Sequence, residues 1–145
     1  MIHVRLLGRN ESSVLTRVAP SVFDHDPDVR WTVEFFADER HHLAVALDDD
    51  LVVGMASAVH YVHPDKPPQL WINEVSVAET HRERGLGKQL LNCLIELAEE
   101  LSCTEAWVLT DRGNLAARRL YESAGAEVPP QESLMYTFWV KRAGR

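Results

Sequence analysis

The chain has 145 residues, of which 46% are apolar, and its formal net charge is −7 at pH 7. This length and composition fit one globular domain and exclude a disordered chain or a coiled rod. The excess of acidic residues argues against a broad basic surface for nucleic acid or anionic lipid. No apolar run approaches the roughly 20 residues that span a bilayer, and residues 1–5 lack the apolar block of a secretion signal. We therefore expect a cytoplasmic protein that binds neither nucleic acid nor membrane.

The net charge is concentrated in one segment. Residues 23–50 contain nine acidic and two basic side chains, an excess equal to the charge of the whole chain. The acidic residues are Asp24, Asp26, Asp28, Glu34, Asp38, Glu39, Asp48, Asp49 and Asp50. A cationic partner near this segment is therefore a hypothesis to test.

The N-terminal half predicts a strand, two helical segments and a hairpin. Residues 2–7 form the first strand, and apolar spacing then predicts a helix from Asn10 to Pro20. Residues 23–29 are a loop because Asp and Pro favour turns, and a short helix follows over residues 32–39. Residues 42–47 and 51–62 flank three consecutive aspartates, which is typical of a β-hairpin.

The C-terminal half alternates strands and helices. Residues 69–77 predict a strand, and leucines at helical spacing predict an amphipathic helix from about residue 84 to residue 101. A strand over 105–110, a helix over 114–124 ended by Gly125, and a last strand over 134–140 follow. This order predicts a single mixed α/β domain over residues 1–145.

A glycine-bearing turn, Arg-Glu-Arg-Gly-Leu-Gly-Lys over residues 82–88, precedes the long amphipathic helix. Glycines let an anion approach the backbone, and the free N–H groups and dipole of a helix N-terminus favour phosphate. The Rossmann fingerprint would need a glycine at Leu90, and the P-loop would need glycine at Arg82 and Ser or Thr at Gln89. Both nucleotide-binding motifs are therefore excluded, and the alternative is a plain helix start.

Two motifs resemble the GCN5-related N-acetyltransferase (GNAT) superfamily. Its pyrophosphate turn, Q/R-x-x-G-x-G/A, is matched by Arg82, Gly85 and Gly87, and its N-x-x-A-x-x-x-Y-x-x-x-G helix by residues 114–125. The resemblance implies a mostly antiparallel twisted sheet flanked by helices, with a cleft where the fourth and fifth strands splay apart. It also implies acetyl-CoA as donor and a primary amine as acceptor. The implied acetyl-CoA contacts are Val75, Ser76, Val77, Arg82, Glu83, Arg84, Gly85, Leu86, Gly87, Lys88, Asn114 and Ala117.

Two side chains are candidates for acid–base catalysis. Attack of an amine on a thioester needs a neutral amine and a proton for the departing thiolate. Glu74 is the candidate base, because a carboxylate between apolar neighbours in a central strand is unfavourable unless it is paired or functional. Tyr121, placed by the second motif, is the candidate acid. The alternatives are an exposed strand carboxylate for Glu74, a core tyrosine for Tyr121 and a helix N-cap for Asn114.

The acidic segment lies where the resemblance places the acceptor. Asp24, Asp26, Asp28 and Glu34, together with Glu74, are the candidate acceptor-binding residues, since carboxylates attract polyamines by steering and charge-assisted hydrogen bonds. A solvated acidic loop is the alternative. Asp48–Asp50 are expected to cap the hairpin, and Asp38 and Glu39 to end a helix. The histidines lack metal-ligand spacing, so no metal is expected. The tryptophans are expected in the core or in cleft walls.

The arrangement looks most like the small aminoglycoside 3-N-acetyltransferases, which are antibiotic-resistance enzymes. This resemblance rests on the acidic loop, Glu74, the proline-interrupted hairpin end and residues 81–85. Asn114 departs from it, because that subgroup tends to have acidic residues and a proline there. The alternatives are acetylation of a polyamine or of a protein or peptide amine, a non-catalytic acyl-CoA-binding module, and a structural partner protein. The family often forms homodimers, so a homodimer is a further expectation.

Overall fold

The computed structural model describes residues 1–141, which form a five-stranded sheet with helices packed against it. The elements in chain order are β1 (Ile2–Leu6), a 3-10 helix (Ser12–Thr16), α1 (Val29–Ala37), β2 (His41–Asp48), β3 (Leu51–Tyr61), β4 (Gln69–Val77), a 3-10 helix (Glu79–His81), α2 (Leu86–Glu100), β5 (Ala106–Val108) and α3 (Leu115–Ser123). The predicted mixed α/β class is confirmed. No helix in residues 1–141 is long and apolar enough to cross a membrane.

The sheet has the order β1-β2-β3-β4-β5. The first four strands pair antiparallel, and only β4 and β5 are parallel. The β4–β5 pairing covers Leu70–Ile72 on β4, whereas β4 itself continues to Val77. The two strands therefore separate beyond Ile72, which is the predicted cleft between the fourth and fifth strands.

The core lies mainly between the central strands and α2. Residues 43–47 of β2 are all buried, because helical and loop segments cover both faces of the sheet there. On α2 the buried positions follow helical spacing and include Leu86, Leu90 and Leu94. The leucine stripe predicted from the sequence is therefore the core-facing side of this helix. Burial of such side chains is the main source of stability for the sheet and the helix together.

Two predicted elements are wrong. The segment before Pro20 forms only the short 3-10 helix Ser12–Thr16, after which residues 17–19 run beside β3 and Ala19 N–H donates to the Val52 carbonyl at 2.9 Å. Within residues 1–141 the segment 134–140 forms no regular strand, and Leu134 and Tyr136 are 79% and 81% exposed. Its composition favours a strand, but a strand is stable only beside a backbone partner. No neighbouring strand pairs with this segment in the described structure.

Several element boundaries moved for local reasons. Helix α1 begins at Val29 rather than near Thr32, because the Asp28 carboxylate accepts hydrogen bonds from the Arg30 and Trp31 N–H groups at 2.8 and 3.4 Å. This is an N-cap. The hairpin around Asp48–Asp50 is confirmed, and Asp38 ends α1 as expected.

Candidate active site

The glycine-bearing turn lies at the N-terminus of α2, beside the open end of the β4–β5 cleft. The first intrahelical bond runs from Gln89 N–H to the Gly85 carbonyl at 3.1 Å, so the N–H groups of Leu86, Gly87 and Lys88 precede the helix ladder. Arg82 and Lys88 are exposed. Free N–H groups, a positive helix end and cationic side chains together form a surface suited to a pyrophosphate.

The two glycines of this turn serve different purposes. Gly85 has a φ of 76°, and a Cβ placed there would meet no atom within 4 Å, so its requirement is conformational and its surroundings are open. Gly87 lacks space: a Cβ there would lie 3.0 Å from Leu120 Cδ2 on α3. Gly87 therefore allows α3 to pack against the first turn of α2.

Side-chain hydrogen bonds hold the turn to the sheet. Arg82 Nε donates to the Val77 carbonyl at 3.1 Å, where β4 ends. His81 Nε2 lies 2.8 Å from Asp48 Oδ2, and its Nδ1 lies 2.7 Å from Thr80 Oγ1. These contacts connect the turn to the end of β4 and to the β2–β3 hairpin. Asp48 therefore positions His81 in addition to its place in the β2–β3 hairpin.

Helices α2 and α3 begin at the same end of the sheet, because each follows the carboxyl end of one of two parallel strands. Asn114 Oδ1 accepts from Ala117 N–H at 3.1 Å, so the N-cap alternative for Asn114 is confirmed. Tyr121 is half-buried against the core, and this burial raises the pKa of its hydroxyl. A raised pKa keeps the phenol protonated, as an acid requires. The catalytic role of Tyr121 remains a prediction.

Strand register places Glu74 on the sheet face opposite α2. Gly54 packs against Leu90 of α2, and its partner across the ladder is Val77. Ser57 is three residues from Gly54, so its side chain and that of its partner Glu74 lie on the other face. Ser76 shares this face, and its Oγ donates to the Ser21 carbonyl at 3.3 Å. This face therefore meets the loop that contains Ser21 and Asp24.

This arrangement brings Asp24 close enough for its charge to act on Glu74. The pKa of the Glu74 carboxyl is raised, first by desolvation and second by the negative charge of Asp24. Glu74 is nevertheless exposed, so an acceptor can reach it. A carboxyl with a raised pKa at the edge of a cleft is suited to accept a proton from an ammonium group.

The other predicted acceptor residues lie apart. The side chain of Asp28 caps α1, whereas Asp26 lines a recess of about 220 Å³ with Phe23 and His25. Glu34 lies beside Asp38 at the C-terminal end of α1, in an open surface depression. Among the four acidic residues predicted to bind the acceptor together with Glu74, Asp24 is the one whose charge acts on Glu74.

Two tryptophans and a tyrosine form an aromatic cluster where β4 pairs with β5. Trp71 of β4 and Trp107 of β5 are stacked with ring centroids 5.0 Å apart and planes 11° apart. Trp107 Nε1 donates to the Tyr61 hydroxyl at 3.0 Å, and that hydroxyl donates to Gln69 Oε1 at 3.2 Å. The sequence supplied only the number of tryptophans, because their meeting depends on the pairing of β4 with β5.

The histidines form ring contacts with one another and with Phe35. His42 Nε2 lies 2.7 Å from His60 Nδ1, and His41 stacks on Phe35 with centroids 5.1 Å apart. In residues 1–141 no group of three or more His, Cys, Asp or Glu side chains is arranged to hold a metal ion.

Comparison with known proteins gives matches in sequence and in fold. Residues 12–126 match the acetyltransferase (GNAT) family. The spermine/spermidine N(1)-acetyltransferase of Bacillus subtilis (strain 168) is 32% identical over 66 residues, which are 45% of this chain and 43% of that protein. The match thus spans less than half the length of that curated relative.

Solved structures share the fold over nearly the whole chain. An aminoglycoside acetyltransferase from an uncultured soil metagenomic sample, in complex with trehalose, has a TM-score of 0.81 at 20% identity, covering 94% of this chain and 95% of that one. AAC(6')-Iy, in complex with the bisubstrate analog CoA-S-monomethyl-acetylneamine, has a TM-score of 0.77 at 19% identity, covering 95% and 98%. With the family match extending from before α1 to beyond α3, the chain belongs to the acetyltransferase (GNAT) family.

Proposed function

We propose that this protein transfers the acetyl group of acetyl-CoA to an amino group of a polycationic small molecule, and that this molecule is an aminoglycoside. The observation that carries the proposal is the placement of Glu74 on β4, the strand that leads into the turn at the N-terminus of α2, with Asp24 of a neighbouring loop close enough for its charge to act on Glu74. A basic phosphate surface and an acidic amine surface thus lie on the same strand and its following turn. A donor with a pyrophosphate and an acceptor with ammonium groups fit these two surfaces.

The donor substrate, acetyl-CoA, fits the residues around the cleft. Its pyrophosphate would meet the N–H groups of Leu86, Gly87 and Lys88, with Arg82 and Arg84 supplying charge. The open space around Gly85 supports this, because no atom of residues 1–141 occupies the position that its Cβ would face. Beyond Ile72, the edge of β4 that faces β5 has no strand partner in the part of the chain that the structure describes. The backbone of Val75, Ser76 and Val77 can therefore pair with the amides of the pantetheine arm.

The transfer forms one N–C bond and breaks one C–S bond. Glu74 takes the proton of the attacking amine, directly or through water, and a backbone N–H of β4 stabilises the developing oxyanion. The departing thiolate takes a proton from Tyr121. Each of these groups is supplied by the protein.

We also propose which amino group of an aminoglycoside accepts the acetyl group. The resemblance to the small 3-N-acetyltransferases supports acetylation at the 3-N amine, and the acidic loop and Glu74 are the features that carry it. Asn114, which caps α3 here, departs from that subgroup. Such an activity would make the protein an aminoglycoside-resistance enzyme.

A polyamine is the second candidate acceptor. It is favoured by the sequence match to the spermine/spermidine N(1)-acetyltransferase of Bacillus subtilis. A linear polyamine presents the same ammonium groups to Asp24 and Glu74, so charge alone does not separate the two candidates.

The test is a thiol-release assay with purified protein, acetyl-CoA and three acceptors: neamine, spermidine and a peptide with a free N-terminus. We expect turnover with neamine, and NMR of the product would identify the acetylated amine. Turnover with spermidine or the peptide alone would replace the aminoglycoside assignment. Calorimetric binding of CoA without turnover on any amine would support a non-catalytic acyl-CoA-binding module instead.

A further inference from the structure

We propose that Trp71, Trp107 and Tyr61 form an aromatic wall of the acceptor site that contacts a saturated ring of the acceptor and selects a ring-shaped amine over a linear one. The inference rests on the proposed function, because it names the acceptor class for the same site. Nothing in the two sequence motifs involves these three residues.

A β-bulge brings the wall onto the face that carries Glu74. Residues 71 and 74 of a regular strand would point to opposite faces, because side chains alternate along a strand. In β4, however, Glu74 pairs with Ser57 and Trp71 pairs with Val59, which are two residues apart on β3 and share a face. The extra residue is Asn73, at the register shift. Trp71 therefore lies on the Glu74 face.

Trp107 and Tyr61, the other two residues of the wall, lie on the same face. Trp107 is the ladder partner of Trp71, and Tyr61 is two residues from Val59 along β3. Trp71 is 36% exposed, so the wall is open to a ligand. The ladder partners of Trp71 and Glu74 are two residues apart on β3, so at roughly 3.3 Å per residue these two residues lie about 7 Å apart along the strand, a span comparable to one sugar ring.

Hydrogen bonds and stacking hold the wall rigid before any ligand arrives. The parallel stack of Trp71 on Trp107 and the bonds from Trp107 to Tyr61 and from Tyr61 to Gln69 fix the orientation of the three rings. A rigid, flat apolar surface contacts a rigid ring at low entropic cost, whereas a flexible chain must lose rotamer freedom to cover it. This favours an amino sugar over a linear polyamine.

The charges at the other end of the face complete the fit. Asp24 and Glu74 would hold the ammonium groups, while the wall would contact the carbon–hydrogen surface of a ring. Amino sugars present both kinds of surface on one small molecule.

The experiment compares Trp71→Leu, which keeps an apolar side chain but removes the aromatic ring, with Trp71→Phe, which keeps an aromatic ring. Binding of neamine and of spermidine is measured by calorimetry on the full chain with CoA present, and KM is measured wherever there is turnover. We expect Trp71→Leu to weaken neamine binding roughly tenfold, the size of one aromatic contact. Trp71→Phe should retain most of the affinity, and spermidine and acetyl-CoA should bind both variants as they bind the original protein.

A second variant covers a failure of Trp71→Leu to fold. Tyr61→Phe keeps the ring but removes the hydroxyl that accepts from Trp107, and it should weaken neamine binding by about two- to threefold. Unchanged neamine affinity in both variants, equal losses for spermidine, or no neamine binding to the original protein would each overturn the wall. Neamine binding that depends on Trp71 without acetylation would instead preserve the wall and refute the proposed function.

Discussion

Glu74 has the strongest geometric case among the candidate catalytic residues. It is exposed on the sheet face that meets the acidic loop, yet its pKa is raised by desolvation and by Asp24. Shifted carboxyl pKa values are common at functional sites, which supports Glu74 as the candidate base.

Replacing this carboxylate should remove the base and leave the donor site intact. We expect Glu74→Gln to lower kcat about a hundredfold, at the lower end of general-base effects, with the Kd for acetyl-CoA unchanged. Stopped-flow or steady-state thiol release and calorimetry measure the two quantities. Glu99→Gln, an exposed position on α2, is the matched control and should behave like the original protein. An equal loss of activity in both variants would contradict the role of Glu74.

Asp24 should set the pH at which Glu74 works. The negative charge of Asp24 raises the pKa of Glu74, so Asp24→Asn should lower that pKa. A base acts in its ionised form, and activity is lost as pH falls through its pKa. The acid limb of the profile of kcat/KM against pH should therefore move to lower pH in Asp24→Asn.

The control for this shift is Asp26→Asn. Asp26 belongs to the same loop but is not among the groups that shift the pKa of Glu74. It should leave the acid limb in place even if acceptor binding weakens. A limb that moves equally in both variants would assign the effect to overall charge rather than to the neighbouring carboxylate.

At the scale of elements, the N-terminus of α2 is where the glycine-bearing sequence motif forms part of the candidate site. The backbone of Gly85 has a left-handed conformation, and Gly87 leaves space for α3 to pack against α2. Arg82 connects the turn to the end of β4 by a hydrogen bond. A single short motif thus shapes the turn, packs two helices and points the N–H groups outward.

A charge placed in this turn should separate phosphate binding from folding. Gly85→Ala and Gly85→Asp both place a Cβ on a residue with φ of 76°, at a cost of about 1 kcal/mol. Only the aspartate adds negative charge where the pyrophosphate would lie. We expect Gly85→Asp to weaken acetyl-CoA binding at least tenfold more than Gly85→Ala, measured by calorimetry. Equal affinities in the two variants would remove the phosphate assignment.

The β-bulge in β4 is the second feature at the scale of elements that shapes the site. The extra residue Asn73 places Trp71 and Glu74 on one face, although alternation along the sequence would separate them. The splay beyond Ile72 leaves the edge of β4 free for the donor. One strand therefore carries the free edge for the donor and the face for the acceptor.

At the scale of the whole molecule, stability should depend on pH through the partly buried imidazole of His42. Desolvation first, and the positive charges of His60 and His41 next, lower the pKa of His42 from 6.5 to about 4, against a smaller opposing effect of Asp38. The folded protein keeps His42 neutral, whereas the unfolded chain binds a proton below its ordinary pKa. The free energy of unfolding should therefore fall as pH decreases from about 6.5 towards about 4.

Urea unfolding at pH 7 and pH 5 would measure this dependence. In His42→Gln the contribution of this group disappears, so the difference between the two midpoints should shrink. His3→Gln, an exposed histidine on β1, is the control and should keep the original difference. An unchanged difference in His42→Gln would show that other groups cause the loss of stability in acid.

Local and periodic information determined much of this protein. The leucines of α2, the hairpin at Asp48–Asp50, the glycine of the α2 turn and the N-cap of α3 are readable because each depends on neighbours within a few residues. The family motifs lie on such local elements, so the cleft, the donor turn and the candidates Glu74 and Tyr121 could be named from the sequence.

Only the tertiary structure decided which residues meet. The structure shows that Asp28 caps α1, while its predicted contact with the acceptor stays a prediction. The predicted last strand over 134–140 does not form, since a strand needs a partner that sequence alone does not specify. The pairing of Asp24 with Glu74 and the aromatic wall depend on register, and one extra residue in a strand reverses which face a side chain occupies. The sequence by itself determined the family and the kinds of group in the site, and long-range strand pairing determined their arrangement.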